Sequence, residues 1–501
     1  MSMTLDRLIE RHGRYRSDHL ALVVGDERLT WRMFEQRVNC LSNALLKAGI
    51  GKGDKVATVL PNCIELITLY WAITSIGAVV VPLSPLLQPR GLLNLLHDSG
   101  SRLVFLTEKA KQGLATESAY DKGRHFITLG DQFIDFLAAA EETAPSRPAI
   151  FPDDLFNIVY SSGTTGMPKG IEHSHLVRSQ YGAHFAASFR MTPESVVLHS
   201  GSIVFNGAFV TLMPCFYLGA AYILHQAFDI EDTIRTIRDE KVTHIMMVPA
   251  QIIALLESPN CSAETLASLE MVLTLGAPLS EFHKKAFNRI LPGRYYELYG
   301  LTEGFVTILD KLDFELKSGS VGCPPPGYDI RIVDDEGDDL PAGEIGEIVG
   351  RGPILMSGYY GREDLTAEAI RDGWLFTGDL GYLDEDGYLY LAGRKKDMII
   401  SGGVNVFPQD IESLIVTHGS VLEAAVFGIA SDKWGETPIA AVVKKSGAQI
   451  DTAVLKDWIN QRVEAKFQRV SDVFFIESFP RNVAGKILKH ELQELYSENS
   501  R

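Results

Sequence analysis

Cysteine is scarce. Five occur in 501 residues, at Cys40, Cys63, Cys215, Cys261 and Cys323. They are far apart and never form a CxxC pair, which excludes a disulfide framework or a zinc site and fits a reducing compartment, the cytoplasm. Each reads as a small buried apolar side chain. Positive charge is also short, with 47 Lys+Arg against 64 Asp+Glu and a net charge of −17. A surface of that sign repels polyanions, so neither nucleic acid nor an anionic membrane is an expected partner. A small polyanionic ligand would have to be captured by local devices.

Long charge-free runs are few. Residues 66–89 and 196–228 are long enough to span a bilayer, but Gly, Pro, Ser, Thr or Asn interrupt both, including Gly77, Pro82, Ser84 and Pro85 in the first. They read as a helix followed by a buried strand. The first residues, Met1–Asp6, carry no apolar run of the signal-peptide kind, and Ser497–Arg501 is not an SKL-type address. No internal repeat or low-complexity segment is present. With 46% hydrophobic residues the chain can bury a large core, and its length predicts two to four domains.

The first 300 residues alternate helix and strand signals. Apolar side chains at Phe34, Val38, Leu41, Leu45 and Leu46 give Leu29–Ala48 one helical face. Strands are predicted at 55–60, 78–81, 103–106, 156–160, 242–249 and 271–275, and a helix at 62–76. This is an α/β pattern with sheets covered on both faces. After about residue 320 the pattern becomes β-rich. Strands 329–334 and 344–349 flank a turn at Asp334–Gly337, and Tyr382–Tyr390 reads as a hairpin turning at Asp384–Gly387. Residues 395–501 read as a compact α+β unit with helices at 408–418, 453–465 and from Lys489, and strands at 421–428 and 438–444. The expected organisation is a large N-terminal domain, 1–394, with a β-rich subdomain near 320–394, and a small mobile C-terminal domain, 395–501.

Chemistry concentrates in a few places. Ser161-Ser162-Gly163-Thr164-Thr165-Gly166-Met167-Pro168-Lys169 follows a strand and is rich in hydroxyl and backbone donors. Glycines allow such a loop to wrap a phosphate chain, and Lys169 adds a cation. It is not a Walker A loop, because Lys169 lacks the preceding Gly and the following Ser/Thr. This loop resembles the phosphate loop of the acyl-adenylate-forming superfamily, which includes acyl-CoA synthetases. Five further motifs follow in that family's order: Tyr299-Gly300-Leu301-Thr302-Glu303, Thr377-Gly378-Asp379, Gly393-Arg394-Lys395-Lys396-Asp397, Ser401-Gly402-Gly403 through Pro408, and Pro480 through Gly485-Lys486.

The resemblance implies an AMP-forming ligase with two half-reactions. A carboxylate attacks the α-phosphate of ATP and releases pyrophosphate; a thiol then attacks the acyl-adenylate. It implies Lys486 as the catalytic lysine, Thr302 on the α-phosphate and Glu303 as the Mg²⁺ ligand, in keeping with magnesium's taste for one carboxylate plus phosphate oxygens. Tyr299 with Gly300, and the Gly276-Ala277-Pro278 turn, would flank adenine. Asp379 would accept the ribose hydroxyls and Arg394 would add charge. Lys396 is the hinge, and Gly402 and Gly403 would admit the pantetheine arm of CoA. The Pro480–Lys486 segment also resembles a lysine-acetylation target of this family, which would erase the charge of Lys486.

The acid is read from Phe205, Asn206, Gly207, Phe209 and Gly304. Phe205 stands where many members carry a histidine. No carboxylate lies between Gly201 and Tyr222 to pair a substrate ammonium, so a fatty or an aromatic acid is expected rather than an amino acid. The acceptor is expected to be CoA; the alternative is a separate acyl carrier protein. The sequence leaves the oligomeric state open, a homodimer included. Residues 395–501 hold 13 Lys+Arg and 14 Asp+Glu, so the −17 resides almost wholly on residues 1–394. No basic patch stands out in the sequence, and CoA binding is expected to weaken only modestly with salt.

Overall fold

The structure is a computed structural model that describes residues 4–499 apart from 119, 121–122, 139, 161–167, 432–433, 464 and 482–486. Strand alternation sets its layers. In Ala221–Leu224, Tyr222 and Leu224 face one core and Ile223 another. A sheet packed on both sides needs such strands, and Leu103–Leu106 is accordingly buried at every position.

Two sheets dominate residues 1–360. An eight-stranded sheet runs, in space, 306–309, 295–300, 271–275, 244–247, 196–199, 221–224, 20–24 and 27–30. Its six inner strands are parallel and its two edges antiparallel. A seven-stranded sheet runs 358–359, 170–174, 155–160, 79–82, 55–59, 103–106 and 125–128. Between the sheets lie the helices Trp31–Lys47, Ile64–Ser75, His175–Ser188 and Asn206–Leu218, which share one core with the inner faces of both. Further helices cover the outer faces, giving five layers.

This layering explains the charge-free runs. Apart from Glu65, Ile64–Ser75 is buried all round, within the core that both sheets share. Trp31, Trp71, Phe34 and Phe216 meet there edge-on or stacked, with centroids 5.0–6.2 Å apart. Each such buried side chain contributes roughly 1.5–3 kcal/mol. The second run differs from expectation. It is strand, helix, strand: Val196–His199, Asn206–Leu218 and Ala221–Leu224. Gly219, at φ +75°, ends the helix and returns the chain to the sheet. Among the described residues no helix is long and apolar enough to cross a membrane.

The β-rich part forms a five-stranded antiparallel sheet. The expected hairpin is present, with Leu383 opposite Leu389 and the Tyr382 and Tyr390 rings stacked at 5.0 Å. Residues 399–475 supply a fourth sheet with its own core. Three of its strands, 399–401, 404–406 and 472–475, escape sequence reading because each is only three or four residues long. The helix expected at 453–465 stops at Asn460, where the Asn460 side chain bonds the backbone of Val470 instead.

Candidate active site

The candidate residues gather at the C-terminal ends of parallel strands, where open α/β sheets bind ligands. Tyr160 ends one strand, Leu275 another and Gly300 a third. Ser161, Ser162, Gly163, Thr164, Thr165 and Gly166 lie outside the described residues. The base of their loop is anchored: the Tyr160 hydroxyl donates to Asp98 Oδ2 at 2.6 Å, and Arg362 pairs with the other Asp98 oxygen at 3.2 Å.

Tyr299 to Glu303 form the tip of a β-hairpin. Gly300 pairs with Val306 across it, and the Leu301 N–H donates to the Phe305 carbonyl at 3.1 Å. The tip is pinned from three sides. The Thr302 carbonyl accepts from His173 Nε2 at 2.8 Å, the Glu303 carbonyl accepts from the Met356 N–H at 2.8 Å, and Glu303 Oε1 accepts from the Tyr359 hydroxyl at 2.9 Å. Gly304 makes this approach possible. Its φ is +113°, and a Cβ there would lie 2.1 Å from the Ile354 carbonyl oxygen. Gly304 is thus a close-packing glycine under Glu303. Lys169 Nζ sits 4.6 Å above the Tyr359 ring, so the cation expected on phosphate and the carboxylate expected on magnesium share one tyrosine. Among the described residues nothing occupies the second Glu303 oxygen in competition with a metal. Among the described residues no cluster of three His, Cys, Asp or Glu occurs, so a magnesium ion would rest on Glu303 and on phosphate oxygens, an arrangement magnesium favours.

Asp379 is buried. Its Oδ2 accepts from the Tyr299 hydroxyl at 2.8 Å and its Oδ1 pairs with Arg394 Nε at 2.9 Å. Asp379 and Arg394 face each other across neighbouring strands, which fixes this register. Burial, then the adjacent Asp379, push the Tyr299 phenol well above its ordinary pKa, so it stays a donor. Gly276, Ala277 and Pro278 form an exposed turn beyond the strand Met271–Leu275. Gly207 packs against Leu275, where a Cβ would lie 2.9 Å from Leu275 Cδ1. The structure therefore brings part of the expected acyl wall to the expected adenine wall. Phe205 and Asn206 are half-buried beside it. Phe209 is fully buried, stacked on Tyr70 at 5.9 Å, and stands behind that wall.

Lys396 lies in the short 3₁₀ turn Lys395–Asp397 that joins the β-rich sheet to the fourth sheet. Its ammonium is pulled below the ordinary lysine pKa by burial and by Arg394. Gly402 and Gly403, at φ +62° and +80°, form the two-residue turn of the hairpin 399–406. A Cβ on Gly402 would lie 2.9 Å from the Trp434 ring, and the Gly402 N–H donates to the Trp434 carbonyl at 2.6 Å. Trp434, 45% exposed, opens onto a cleft of about 310 Å³ lined also by Ser401, Lys456, Lys466, Phe467 and Arg469. Two aromatic rings and three cations, none in an ion pair among the described residues, flank the glycine turn. This basic patch does not stand out in the sequence, because its cations are 10 and 3 residues apart in the chain and meet only in the fold. Lys486 lies outside the described residues. Sequence reading also missed Tyr359, His173 and Arg178, which carry no motif.

Residues 9–360 match the AMP-binding enzyme family and residues 410–486 match the C-terminal domain of AMP-binding enzymes. The chain belongs to the AMP-binding enzyme family. Among this family's curated members, a feruloyl-CoA synthase of Amycolatopsis sp is 33% identical over 496 residues, covering 97% of this chain and 98% of the relative. A fatty acid–[acyl-carrier-protein] ligase, ScoC, of Streptomyces coeruleorubidus is 30% identical and covers 98% and 96%. The crystal structure of ATP-bound MatB from Rhodopseudomonas palustris superposes with a TM-score of 0.92 at 30% identity, over the full length of both chains. The mixed α/β architecture of this AMP-binding enzyme, with a larger N-terminal and a smaller C-terminal part, is that of adenylate-forming enzymes.

Proposed function

We propose that this AMP-binding enzyme is an ATP-dependent carboxylic acid–CoA ligase that forms an acyl-adenylate and then an acyl-CoA. The supporting geometry is divided by half-reaction. For adenylation, Asp379 holds two donors in a fixed plane and retains lone pairs for ribose hydroxyls. Thr302 and Glu303 share a braced hairpin tip, with Lys169 across Tyr359 from Glu303. Negative charge that builds on the α-phosphoryl oxygens is then met by pre-positioned groups, which is where most of the rate gain in phosphoryl chemistry arises. Magnesium, held by Glu303, would supply charge neutralisation on the phosphates. Lys486 is the cation assigned to bridge the carboxylate and the α-phosphate. With a domain boundary near 394, Lys486 and the glycine turn would belong to one small unit, and rotation about Lys396 would present each in turn.

The observation that carries the choice of CoA over a carrier protein is the cleft beside Gly402. Rings at Trp434 and Phe467 can sandwich or edge a purine, and Lys456, Lys466 and Arg469 can meet a nucleotide phosphate. A carrier protein offers a phosphopantetheine arm but no such nucleotide. The acid is read as a fatty or aromatic acid, because the segment from Gly201 to Tyr222 that supplies Phe205 and Gly207 holds no carboxylate to pair an ammonium. Purified enzyme is to be incubated with ATP, an acid panel and either CoA, 3′-dephospho-CoA or a phosphopantetheinylated carrier protein. AMP release with CoA, and a higher KM for the dephospho form, is expected. Turnover with the carrier alone would reject this reading in favour of the carrier-loading one.

A further inference from the structure

Arg178, on the helix His175–Ser188, is wholly buried, and no carboxylate pairs with it among the described residues. A buried cation without a counter-ion costs several kcal/mol unless it is well hydrogen-bonded, so its surroundings matter. Its Nε donates to Asn157 Oδ1 at 3.0 Å. Its Nη2 donates to Asn206 Oδ1 at 2.9 Å and to His173 Nδ1 at 3.2 Å. The guanidinium carbon stands 4.1 Å above the Phe209 ring and 4.6 Å from that of Tyr181. Nη1 has no partner. Burial lowers the Arg178 pKa to about 10, which leaves the cation intact at neutral pH.

His173 makes this a directed chain. Arginine can only donate, so His173 Nδ1 must accept. The ring's proton therefore lies on Nε2, which donates to the Thr302 carbonyl. Burial and the neighbouring Arg178 hold the imidazole pKa well below its usual value, so it remains neutral. Asn206 is fixed in the same way: its oxygen accepts from Arg178 and its Nδ2 donates to the Tyr181 hydroxyl at 3.1 Å. One guanidinium thus links the first residue of the helix Asn206–Leu218, beside the acyl wall, to the hairpin tip that carries Thr302.

We propose that Arg178 is a positioning residue for the adenylation half-reaction, selecting the His173 tautomer that holds Thr302 while fixing Asn206 beside the acid. The inference rests on the reading of Thr302 as the α-phosphate contact. Adenylation needs the acid and the α-phosphate aligned, and misplacement of either is expensive. Attack of the thiol on a formed adenylate makes no use of that alignment between two separate reactants.

The test uses full-length enzyme, with pyrophosphate release for adenylation and thioester formation from preformed acyl-adenylate for the second step. Arg178→Met should lower adenylation kcat by about tenfold or more, with the second step changed by less than about threefold. Arg178→Lys should fail to rescue, since one ammonium cannot reproduce the planar fork. In ¹⁵N-histidine spectra, a signal absent from His173→Phe should show a bare Nδ1 in the parent and a mixed tautomer in Arg178→Met. Where Arg178→Met does not fold, His173→Phe must show the same selective loss. Equal losses in both steps, full rescue by lysine, an unchanged His173 tautomer, or a folded His173→Phe enzyme with parental adenylation would each overturn the proposal. Thr302→Val in parallel tests the underlying reading: parental adenylation there, with the tautomer shift still present, would refute the role of Thr302 and not the chain that holds it.

Discussion

Replacing Asp379 with alanine tests the nucleotide site most sharply, because the structure assigns the carboxylate two kinds of work. In the free enzyme it satisfies the Tyr299 hydroxyl at 2.8 Å and Arg394 Nε at 2.9 Å. Tyr299 is half-buried, so losing its acceptor should cost about 0.5–1.5 kcal/mol of stability. Arg394 is partly exposed and water can replace its partner. With ATP bound, the same carboxylate would accept two ribose hydroxyls. Hydrogen bonds to a charged group are worth roughly 1.5–3 kcal/mol each. Losing both would lower kcat/KM for ATP by roughly 10²–10⁴-fold. Asp379→Asn keeps the shape, but its amide offers one accepting oxygen where the carboxylate offers two, and it should fall between. The assay is pyrophosphate release against ATP concentration, with thermal melting of each variant measured alongside. A variant with a lowered Tm and a kcat/KM for ATP within about threefold of the parent would refute the ribose role and leave Asp379 as a strut for Tyr299 and Arg394.

Other outcomes follow from the same geometry. Lys486→Ala should depress pyrophosphate release far more than thioester formation from preformed adenylate; equal depression would remove its assigned role. Lys396→Pro should arrest the hinge and leave one half-reaction much faster than the other, which the two assays read separately; full activity in both would place the hinge elsewhere. Trp434→Ala should raise the KM for CoA while leaving that for ATP unchanged. With three cations in the cleft that form no ion pair among the described residues, the KM for CoA should climb by roughly threefold or more between about 0.05 and 0.5 M salt, and Arg469→Gln should flatten the slope. A flat response in the parent would return the account to the modest dependence that the sequence suggested.

What the sequence exposes depends on the range of the interaction. Continuous motifs announce themselves: Tyr299–Glu303 and Thr377–Asp379 each carry their chemistry in a few adjacent residues, and the fold brings Tyr299, Asp379 and Arg394 into contact. The helix under Phe34 and Val38 and the hairpin at Tyr382–Tyr390 are legible because one local period or one turn decides them. The braces are not legible. Tyr359 reaches Glu303 from 56 residues away, and His173 reaches Thr302 from 129. No local pattern marks a tyrosine or a histidine for such work. The CoA cleft hides for the same reason, its cations being spread along a helix and a 3₁₀ turn. Phe209 is legible only in part: an apolar residue one turn into a helix near the site reads as lining, and the covering by Tyr70 and Arg178 shows only in the fold.

The central claim is that an oxygen of the acid attacks the α-phosphorus of ATP. It is tested most directly by supplying a turned-over acid labelled with ¹⁸O in its carboxylate, together with ATP and CoA, and analysing the nucleotide product by mass spectrometry. The account predicts one ¹⁸O in the phosphate of AMP for each acyl-CoA formed. Label in inorganic phosphate, with ADP as the nucleotide product, would contradict it.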